Sequence, residues 1–522
     1  MKRKFNDTGV CVADRHYMVD MSHKIEQIVQ IIEQGEYFTI NRPRQFGKTT
    51  ILSLLVKTLQ QRDDYLAFKI SFEGVGEAMF ASEEAFCPAF LRRIAQPLMF
   101  TNPNLSEFFM TESKQIQNFE DLSQWISRYV AQTRKRIVLM VDEVDKSSNN
   151  QIFLHFLGML REKYLQRNEG QDYTFQSVIL AGVHDIKTLK LHIRPDAERK
   201  YNSPWNIAID FTVDLSFQPN EIATMLRDYQ RDTHVEMDVS AIADKLYYYT
   251  SGYPYLVSKL CKFIDEIIVP ERQDKNWSPD DVDTAFALIT KESYTTTLFD
   301  SLAKNLENDP ELYDFVFQIV MNGKQVAFTT TNPVIHRASL YGILTESDGL
   351  CTIHNRIYEQ KIYAHILSKV LISQRINAFP SPEFFTEDGL NVSLILQKFQ
   401  AFMKEHYSHK DREFLEREGR LLFLAFLKPI INGRGFDFKE PNVAEERRMD
   451  VVITYHNQRY VIELKRWAGP KAHQRGLQQL SDYLDMYSLK HGYLLIYDFN
   501  RQKAYKQEQI TFQDKTIFAV WV

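Results

Sequence analysis

The spacing of hydrophobic and polar positions changes several times along this chain. Near the start, HKIEQIVQIIEQG repeats apolar residues at helical intervals and predicts a helix. From Tyr37 to about Leu215, short apolar runs alternate with helical ones. YFTINRP, LAFKISF, RIVLMVD, SVILAGV and IAIDFTVDL each read as a strand. Strands interleaved with helices predict a mostly parallel, doubly wound α/β sheet over residues 1–215. From 216 to 290 the pattern is almost wholly helical (NEIATMLRDY, AIADKLYYYT, PYLVSKLCKFIDEII). It breaks at Ser251-Gly252-Tyr253-Pro254.

Residues 291–375 read as a small helical module closed by a hairpin. Tyr341-Gly342-Ile343-Leu344 and Cys351-Thr352-Ile353-His354 flank the turn signal Glu346-Ser347-Asp348-Gly349, and helices followed by a short hairpin predict a winged helix. The segment 376–391, with two prolines, reads as a linker. Residues 392–522 begin with helices and end in strands (YLLIYDF, ITFQDKTIFAVWV).

Length and charge narrow the picture. At roughly 100–200 residues per domain, 522 residues suggest three or four domains. The 63 basic and 68 acidic residues give a net charge of −5, so contact with nucleic acid needs a local basic patch. The longest apolar stretch, such as LLFLAFL at 421–427, falls far short of the roughly 20 residues of a spanning helix. No membrane partner is expected, and the basic N-terminus, with no apolar run behind it, does not read as a signal peptide. Cys11, Cys87, Cys261 and Cys351 lack CxxC spacing, which points to reduced thiols in a cytoplasmic protein.

The first chemical signal is RPRQFGKTT (42–50), between the strand at Tyr37–Ile40 and the helical ILSLLVKTLQQ. Strand, loop and helix in that order are the setting of a phosphate-binding P-loop. Lys48 would meet the β- and γ-phosphates, the Thr49 hydroxyl would hold Mg²⁺, and the helix N-terminus would offer free N–H groups. Arg42 stands where the motif's first glycine belongs, so a basic strand-to-helix turn without nucleotide is the competing reading. The run Arg136–Val141 then ends in Asp142-Glu143-Val144-Asp145. An apolar strand ending in Asp-Glu suits a Walker B strand: Asp142 would hold Mg²⁺ through water and Glu143 would polarise the attacking water. A polar, solvated strand end is the alternative. Weaker candidates are His184 and Asp185 as γ-phosphate sensors, Arg194 and Arg199 as a trans arginine, and Tyr17 and Asp20 beside the base.

The second signal lies near the C-terminus. MDVVITY (449–455) and RYVIELKRW (459–467) read as a hairpin, and the midpoint of Asp450 and Glu463, 456.5, falls in its turn. Antiparallel pairing would set the two carboxylates nearly opposite, with Lys465 on the face of Glu463. Two carboxylates suit a divalent cation, and a nearby lysine suits metal-assisted phosphodiester hydrolysis. A Glu463–Lys465 salt bridge is the competing reading. Glu418 on a preceding acidic helix, and Gln479 and Tyr483 on one face of a following helix, are further candidates. Between 434 and 475 nine Lys/Arg face six Asp/Glu, a modest local basic excess that would suit a phosphate backbone.

RPRQFGKTT followed by VLMVDEVDK resembles the AAA-ATPase-like domain of a large bacterial family, whose loop typically reads RPRRFGKT. EREGRLLFLAFL, RRMDVVIT, YVIELKRW and LQQLSDYL resemble the PD-(D/E)XK nuclease domain that ends such chains. SGYPYLV resembles the helical lid of related STAND-type ATPases, and LYGILTESDGLCTIHNRIYEQKI their winged helix. The resemblance implies an α/β P-loop ATPase (1–215), a lid (216–290), a winged helix (291–375) and a restriction-endonuclease-like α/β domain (392–522). It implies ATP and Mg²⁺ as cofactors, with Arg44, Phe46, Gly47, Lys48, Thr49, Thr50 and Asp142 at the nucleotide and Glu143 catalytic. It implies Asp450, Glu463 and Lys465 in the nuclease, with Glu418 as a further metal ligand and Gln479 and Tyr483 beside it. Nucleic acid, DNA foremost, and further copies of the chain would be its partners. Two functions fit: an ATP-regulated nuclease, or a nucleotide-dependent switch that binds nucleic acid or protein without cutting.

Overall fold

The computed structural model describes residues 3–147, 150–183, 205–291, 294–322, 324–374, 382–386, 389–406, 419–420, 422–427, 430, 436–439, 451–455, 458–500 and 505–522. The chain divides into two compact units, Met1–Leu312 with Val326–Gln360, and Tyr313–Gln325 with Lys361–Val522. His184, Asp185, Arg194, Arg199, Glu418 and Asp450 lie outside the described residues.

The first unit is α/β with a parallel sheet. Its strands are β1 (Phe38–Asn41), β2 (Tyr65–Ser71), β3 (Arg136–Asp142) and β4 (Ser177–Gly182), in the order β1-β4-β3-β2. All three pairings are parallel. β3 and β4 are buried almost end to end, which is why they read as continuous apolar runs. The helices between strands carry their own start signals. The helix Glu83–Leu98 opens with Ser82 accepting from Ala85 N, and Phe119–Thr133 opens with Asn118 accepting from Asp121 N. Phe86, Phe90, Phe153 and Phe156 pack in one core cluster with the sheet residues Phe68 and Leu139.

The segment IAIDFTVDL does not form a full strand. It makes a single parallel bridge, Ile209 to Phe38. The Val213 carbonyl accepts a bond from the Arg42 guanidinium (3.0 Å), in place of a ladder amide, and Phe211 stacks on Phe38.

After the sheet come the helices α1 (Pro219–Thr233), α2 (Val239–Thr250), α3 (Pro254–Phe263) and α4 (Pro279–Thr290). The first is set by a capping box between Gln218 and Glu221, and the last by one between Ser278 and Asp281. Pro254 begins α3 at its first position, where its missing N–H costs nothing.

The later hairpin is narrower than its sequence suggests. Its strands are Leu344–Ser347 and Leu350–Ile353, joined at Asp348-Gly349, where both φ values are positive (50° and 76°) as a two-residue hairpin turn needs. Tyr341-Gly342 instead ends the helix Pro333–Leu340. Gly342 N donates to Ser339 O and Ile343 N to Ala338 O, a Schellman stop with Gly342 left-handed.

The second unit holds a six-stranded mixed sheet. Phe436–Lys439, Val451–Tyr455 and Gln458–Arg466 run antiparallel in sequence order. The helix Pro470–Met486 then leads to His491–Tyr497, which lies parallel to Gln458–Arg466 and to Lys515–Trp521. Gln507–Phe512 forms the other edge. The hairpin pairs Val451 with Ile462 and Tyr455 with Gln458, centred where the sequence placed it. Among the described residues, no helix is long and apolar enough to cross a membrane.

Gly252 tests the packing ahead of α3. It sits at φ 71°, and an added Cβ would lie 2.1 Å from Phe217 O. Gly252→Ala should destabilise the protein by at least about 1 kcal/mol more than Gly170→Ala, which has the same left-handed φ but open space around it. Thermal unfolding of the two variants side by side checks this, and equal midpoints would refute it.

Candidate functional site

β1 ends at Asn41 and the helix Lys48–Gln60, the P-loop helix, begins seven residues later. Gln45 (φ 57°) and Gly47 (φ 81°) both lie in the left-handed region and curl the loop between them. Ile51 N bonds back to Gly47 O, so the N–H groups of the first turn have no partner inside the helix. That turn is where an anion would be held.

Lys48 is buried, and its ammonium points into the loop. It donates to Arg42 O (2.8 Å) and Pro43 O (2.9 Å). Burial pulls its pKa down, while Asp145, Glu143 and Asp142 oppose that pull. Arg42, in the position of the missing glycine, is mostly buried. Its backbone N–H bonds Gly182 O, and its guanidinium bonds Asn41 O and Val213 O. The arginine thus ties the end of β1 to two neighbouring segments.

β3 delivers the acids. Asp142 is buried at its end, and its Oδ1 accepts from Glu143 N (3.1 Å). Glu143 is half-buried with φ 56°, a left-handed conformation that a glutamate rarely adopts. Burial raises its carboxyl pKa above the ordinary range, Lys48 lowers it, and Asp142 and Asp145 raise it further.

Three contacts here were not foreseen from the sequence. Asp145 accepts from Val183 N (2.6 Å), and a Cβ on Gly182 would lie 2.7 Å from its carboxylate, so the glycine leaves room for the acid. Lys69, on β2, donates to Thr49 O (3.1 Å) and Ser53 Oγ (2.8 Å) and anchors the first turn of the P-loop helix. Its pKa is lowered by burial, with Asp142 opposing. A lysine inside the run LAFKISF was the available signal, because parallel strands are otherwise apolar. The third is the packing of the loop. The Tyr253 hydroxyl donates to Arg44 O (2.5 Å), and Phe46 meets the Tyr253 and His354 rings edge-on. The Arg44 guanidinium reaches Ser301 Oγ (3.5 Å).

Beside the loop lies a pocket of about 140 Å³, lined by Phe46, Gly47, Thr50 and Tyr17 among others. At roughly 10–15 Å³ per water centre this holds on the order of ten waters, room for a bicyclic base. Asp20 does not line it. Its carboxylate takes the N–H (2.9 Å) and hydroxyl (2.6 Å) of Ser22 instead.

In the second unit, Glu463 is buried and its Oε1 lies 2.5 Å from the Lys465 ammonium, which also donates to Gln479 Oε1 (2.6 Å). The helix Pro470–Met486 packs on the lysine stem at Gly476, where an added Cβ would make ordinary contact with Lys465 Cγ at 3.5 Å. Glu463, Lys465 and Gln479 therefore come together. Tyr483 packs on the apolar cluster of Leu477, Leu480 and Leu484. Among the described residues no three His, Cys, Asp or Glu side chains gather to hold a metal.

A parallel α/β sheet with a strand–loop–helix turn, opposite a strand ending in acids, defines the class. The chain belongs to the AAA-like domain family, matched over residues 6–364. A WD repeat-containing protein of Synechocystis sp. (strain PCC 6803) is 21% identical over 380 residues, which are 70% of this chain and 30% of that protein, so the chain spans less than a third of this curated relative. Among solved structures, the Walker-type ATPase paby2304 of Pyrococcus abyssi is 11% identical with a TM-score of 0.47, covering 69% of this chain and 99% of that one. The Aeropyrum pernix ORC1 protein in complex with DNA is 12% identical with a TM-score of 0.33, covering 69% and 95%. The Thermotoga maritima RuvB Holliday junction branch migration motor is 13% identical with a TM-score of 0.33, covering 65% and 94%.

His354 gives a pH test of the packing around the loop. Burial pushes its pKa down to about 4, with Asp214 opposing, against about 6.5 in an unfolded chain. Between these values the unfolded chain binds a proton that the folded one does not. The stabilisation is therefore complete above pH 6.5 and is lost as pH falls toward 4, by at most about 3 kcal/mol. The unfolding midpoint should drop across this window in the wild type and drop less in His354→Phe. Equal slopes would show that another group carries the effect.

Proposed function

We propose that the first unit binds and hydrolyses ATP, and that the second is a nucleic-acid-cleaving domain governed by the nucleotide state. The observation that carries the first half is the buried Lys48 ammonium, seated among loop carbonyls at a helix N-terminus, with Asp142, Glu143 and Asp145 contributing opposing charge. In this reading phosphate oxygens take the place of the Arg42 and Pro43 carbonyls around Lys48, and the free N–H groups of the first helical turn bind the same phosphates. The apolar pocket beside Gly47 takes the base. Glu143, whose raised pKa makes it a better proton acceptor than an exposed carboxylate, orients the attacking water and takes its proton. The Thr49 hydroxyl and the Asp142 carboxylate are oxygen donors suited to Mg²⁺. Held by Thr49 and Asp142, Mg²⁺ would supply charge neutralisation at the phosphates.

For the second unit, Asp450, Glu463 and Glu418 would hold Mg²⁺, and Lys465 would orient the attacking water. Gln479 keeps Lys465 in place. Support comes from a buried carboxylate and a lysine brought together on one strand of a mixed sheet. In this proposal residues 216–290 are a lid and 291–375 a winged helix that grips DNA, and copies of the chain assemble on it. The second reading, a nucleotide-dependent switch without cleavage, is favoured by the same ion pair, since a Glu463 neutralised by Lys465 also serves as a structural bridge.

Two experiments separate these readings. Lys48→Ala should abolish ATP binding. Glu143→Gln should keep binding and slow single-turnover hydrolysis by about 100-fold or more. Wild-type hydrolysis by Glu143→Gln would remove Glu143 from the reaction. Plasmid DNA incubated with Mg²⁺ or Mn²⁺, with and without ATP, should be cut by the wild type but not by Asp450→Ala or Lys465→Ala. Retention of DNA with no product in any lane would select the switch.

A further inference from the structure

One wall of the pocket beside the loop is a strap formed by the N-terminal segment. Asn6, Asp7, Thr8, Gly9 and Cys11 line the pocket together with Gly47 and Thr50. The strap turns at Gly9, which is left-handed (φ 61°). Asn6 shapes it by donating to Thr8 O (2.7 Å) and accepting from Thr8 N (3.4 Å).

Both ends of the strap are tied to other elements. At one end Cys11 N donates to Thr50 Oγ1 (3.2 Å), in the first turn of the P-loop helix. At the other end the ties run to the helices after the sheet. Ser258 Oγ donates to Asn6 O (2.7 Å), and the Asp7 carboxylate takes two lysines of α3 at once: Lys259 at 2.6 Å and Lys262 at 2.8 Å. Asp7 and Lys259 are each only 11% exposed, so this is a mostly desolvated pair. Solvent therefore screens the pair little, and removing one charge leaves the other buried.

We infer that Asp7 is a positioning residue for nucleotide retention: its ion pairs with Lys259 and Lys262 hold the strap closed over the base. The inference rests on the nucleotide reading above. The strap joins the P-loop helix to α3 through the base pocket, so the base cannot leave on this side without movement of the strap. Asp7 acts through the backbone it fixes. It therefore sets the dwell time of a ligand that has a base, and leaves alone one that has only phosphates.

The test is dissociation of a fluorescent ATP analogue from the full chain, chased with excess ATP, together with displacement by inorganic tripolyphosphate, which has no base. Asp7→Asn should raise the dissociation rate by about ten-fold or more and leave the tripolyphosphate affinity within about two-fold of wild type. A Lys259→Gln/Lys262→Gln double variant should do the same, and Asp7→Glu should restore slow release. Unchanged dissociation in Asp7→Asn, in a protein whose wild type binds the analogue, overturns the strap alone. Equal loss of ATP and tripolyphosphate assigns Asp7 a merely structural role and also overturns it. A wild type that binds neither ligand overturns the nucleotide reading and the strap with it.

Discussion

The first unit is organised around a positive charge that has been taken out of water. An ammonium buried without partners costs several kcal/mol, so a buried lysine dictates the shape of what surrounds it. For Lys48 to receive both the Arg42 and Pro43 carbonyls, the loop must fold back on its own helix. That fold-back needs left-handed φ angles at Gln45 and Gly47. The acids at the end of β3 act on this cation as well as on one another, and the backbone of Glu143 is left-handed where it places its carboxylate among them. Lys69 ties the first turn of the helix to the sheet side through Thr49 O and Ser53 Oγ. The loop is thus held from within by Lys48 and from the sheet side by Lys69.

Much of this was readable in the sequence because it rests on short-range rules. A short, β-branched apolar run such as RIVLMVD favours a buried strand, and a helix beginning at GKTT just past a strand favours a P-loop turn. The unread part depends on contacts distant in sequence. Arg42 looked like a defect in a glycine motif. In the fold it is a tie, because its guanidinium reaches Val213, 171 residues away. The same contact takes up one carbonyl of IAIDFTVDL, which has a strand's alternation but makes one bridge instead of a ladder. Tyr341-Gly342 looked like the start of a strand, but its glycine carries the positive φ that stops a helix. Local propensity could not choose between those two uses of one residue.

The C-terminal pair shows the same division. Strand periodicity alone puts Glu463 and Lys465 on one face, and the hairpin centre follows from the turn. Burial does not follow from periodicity. A salt bridge on an exposed strand would contribute little, whereas Glu463 is almost fully enclosed, and the lysine beside it is held by Gln479 from the helix Pro470–Met486. A carboxylate kept charged inside a protein needs such a partner. Lysine is well suited to the place, since one compact ammonium can serve Glu463 and Gln479 at once.

The phosphate loop is also shared between two sets of contacts. Gly47, Lys48 and Thr49 form the helix N-terminus, while Pro43, Arg44, Gln45 and Phe46 also meet other parts of the unit. Pro43 lies so close to Gly342 that an added Cβ there would meet its ring at 2.4 Å. Arg44 gives its carbonyl to Tyr253, Gln45 donates to Thr297 Oγ1 (3.2 Å), and Phe46 abuts Tyr253 and His354. Close-packed groups of this kind do not deform gradually; they hold one arrangement or exchange it for another. Any rearrangement of the loop's carbonyls must therefore be taken up by Tyr253, Gly342 and His354. The loop ahead of the helix Lys48–Gln60 is thereby mechanically continuous with the helices and hairpin that follow the sheet.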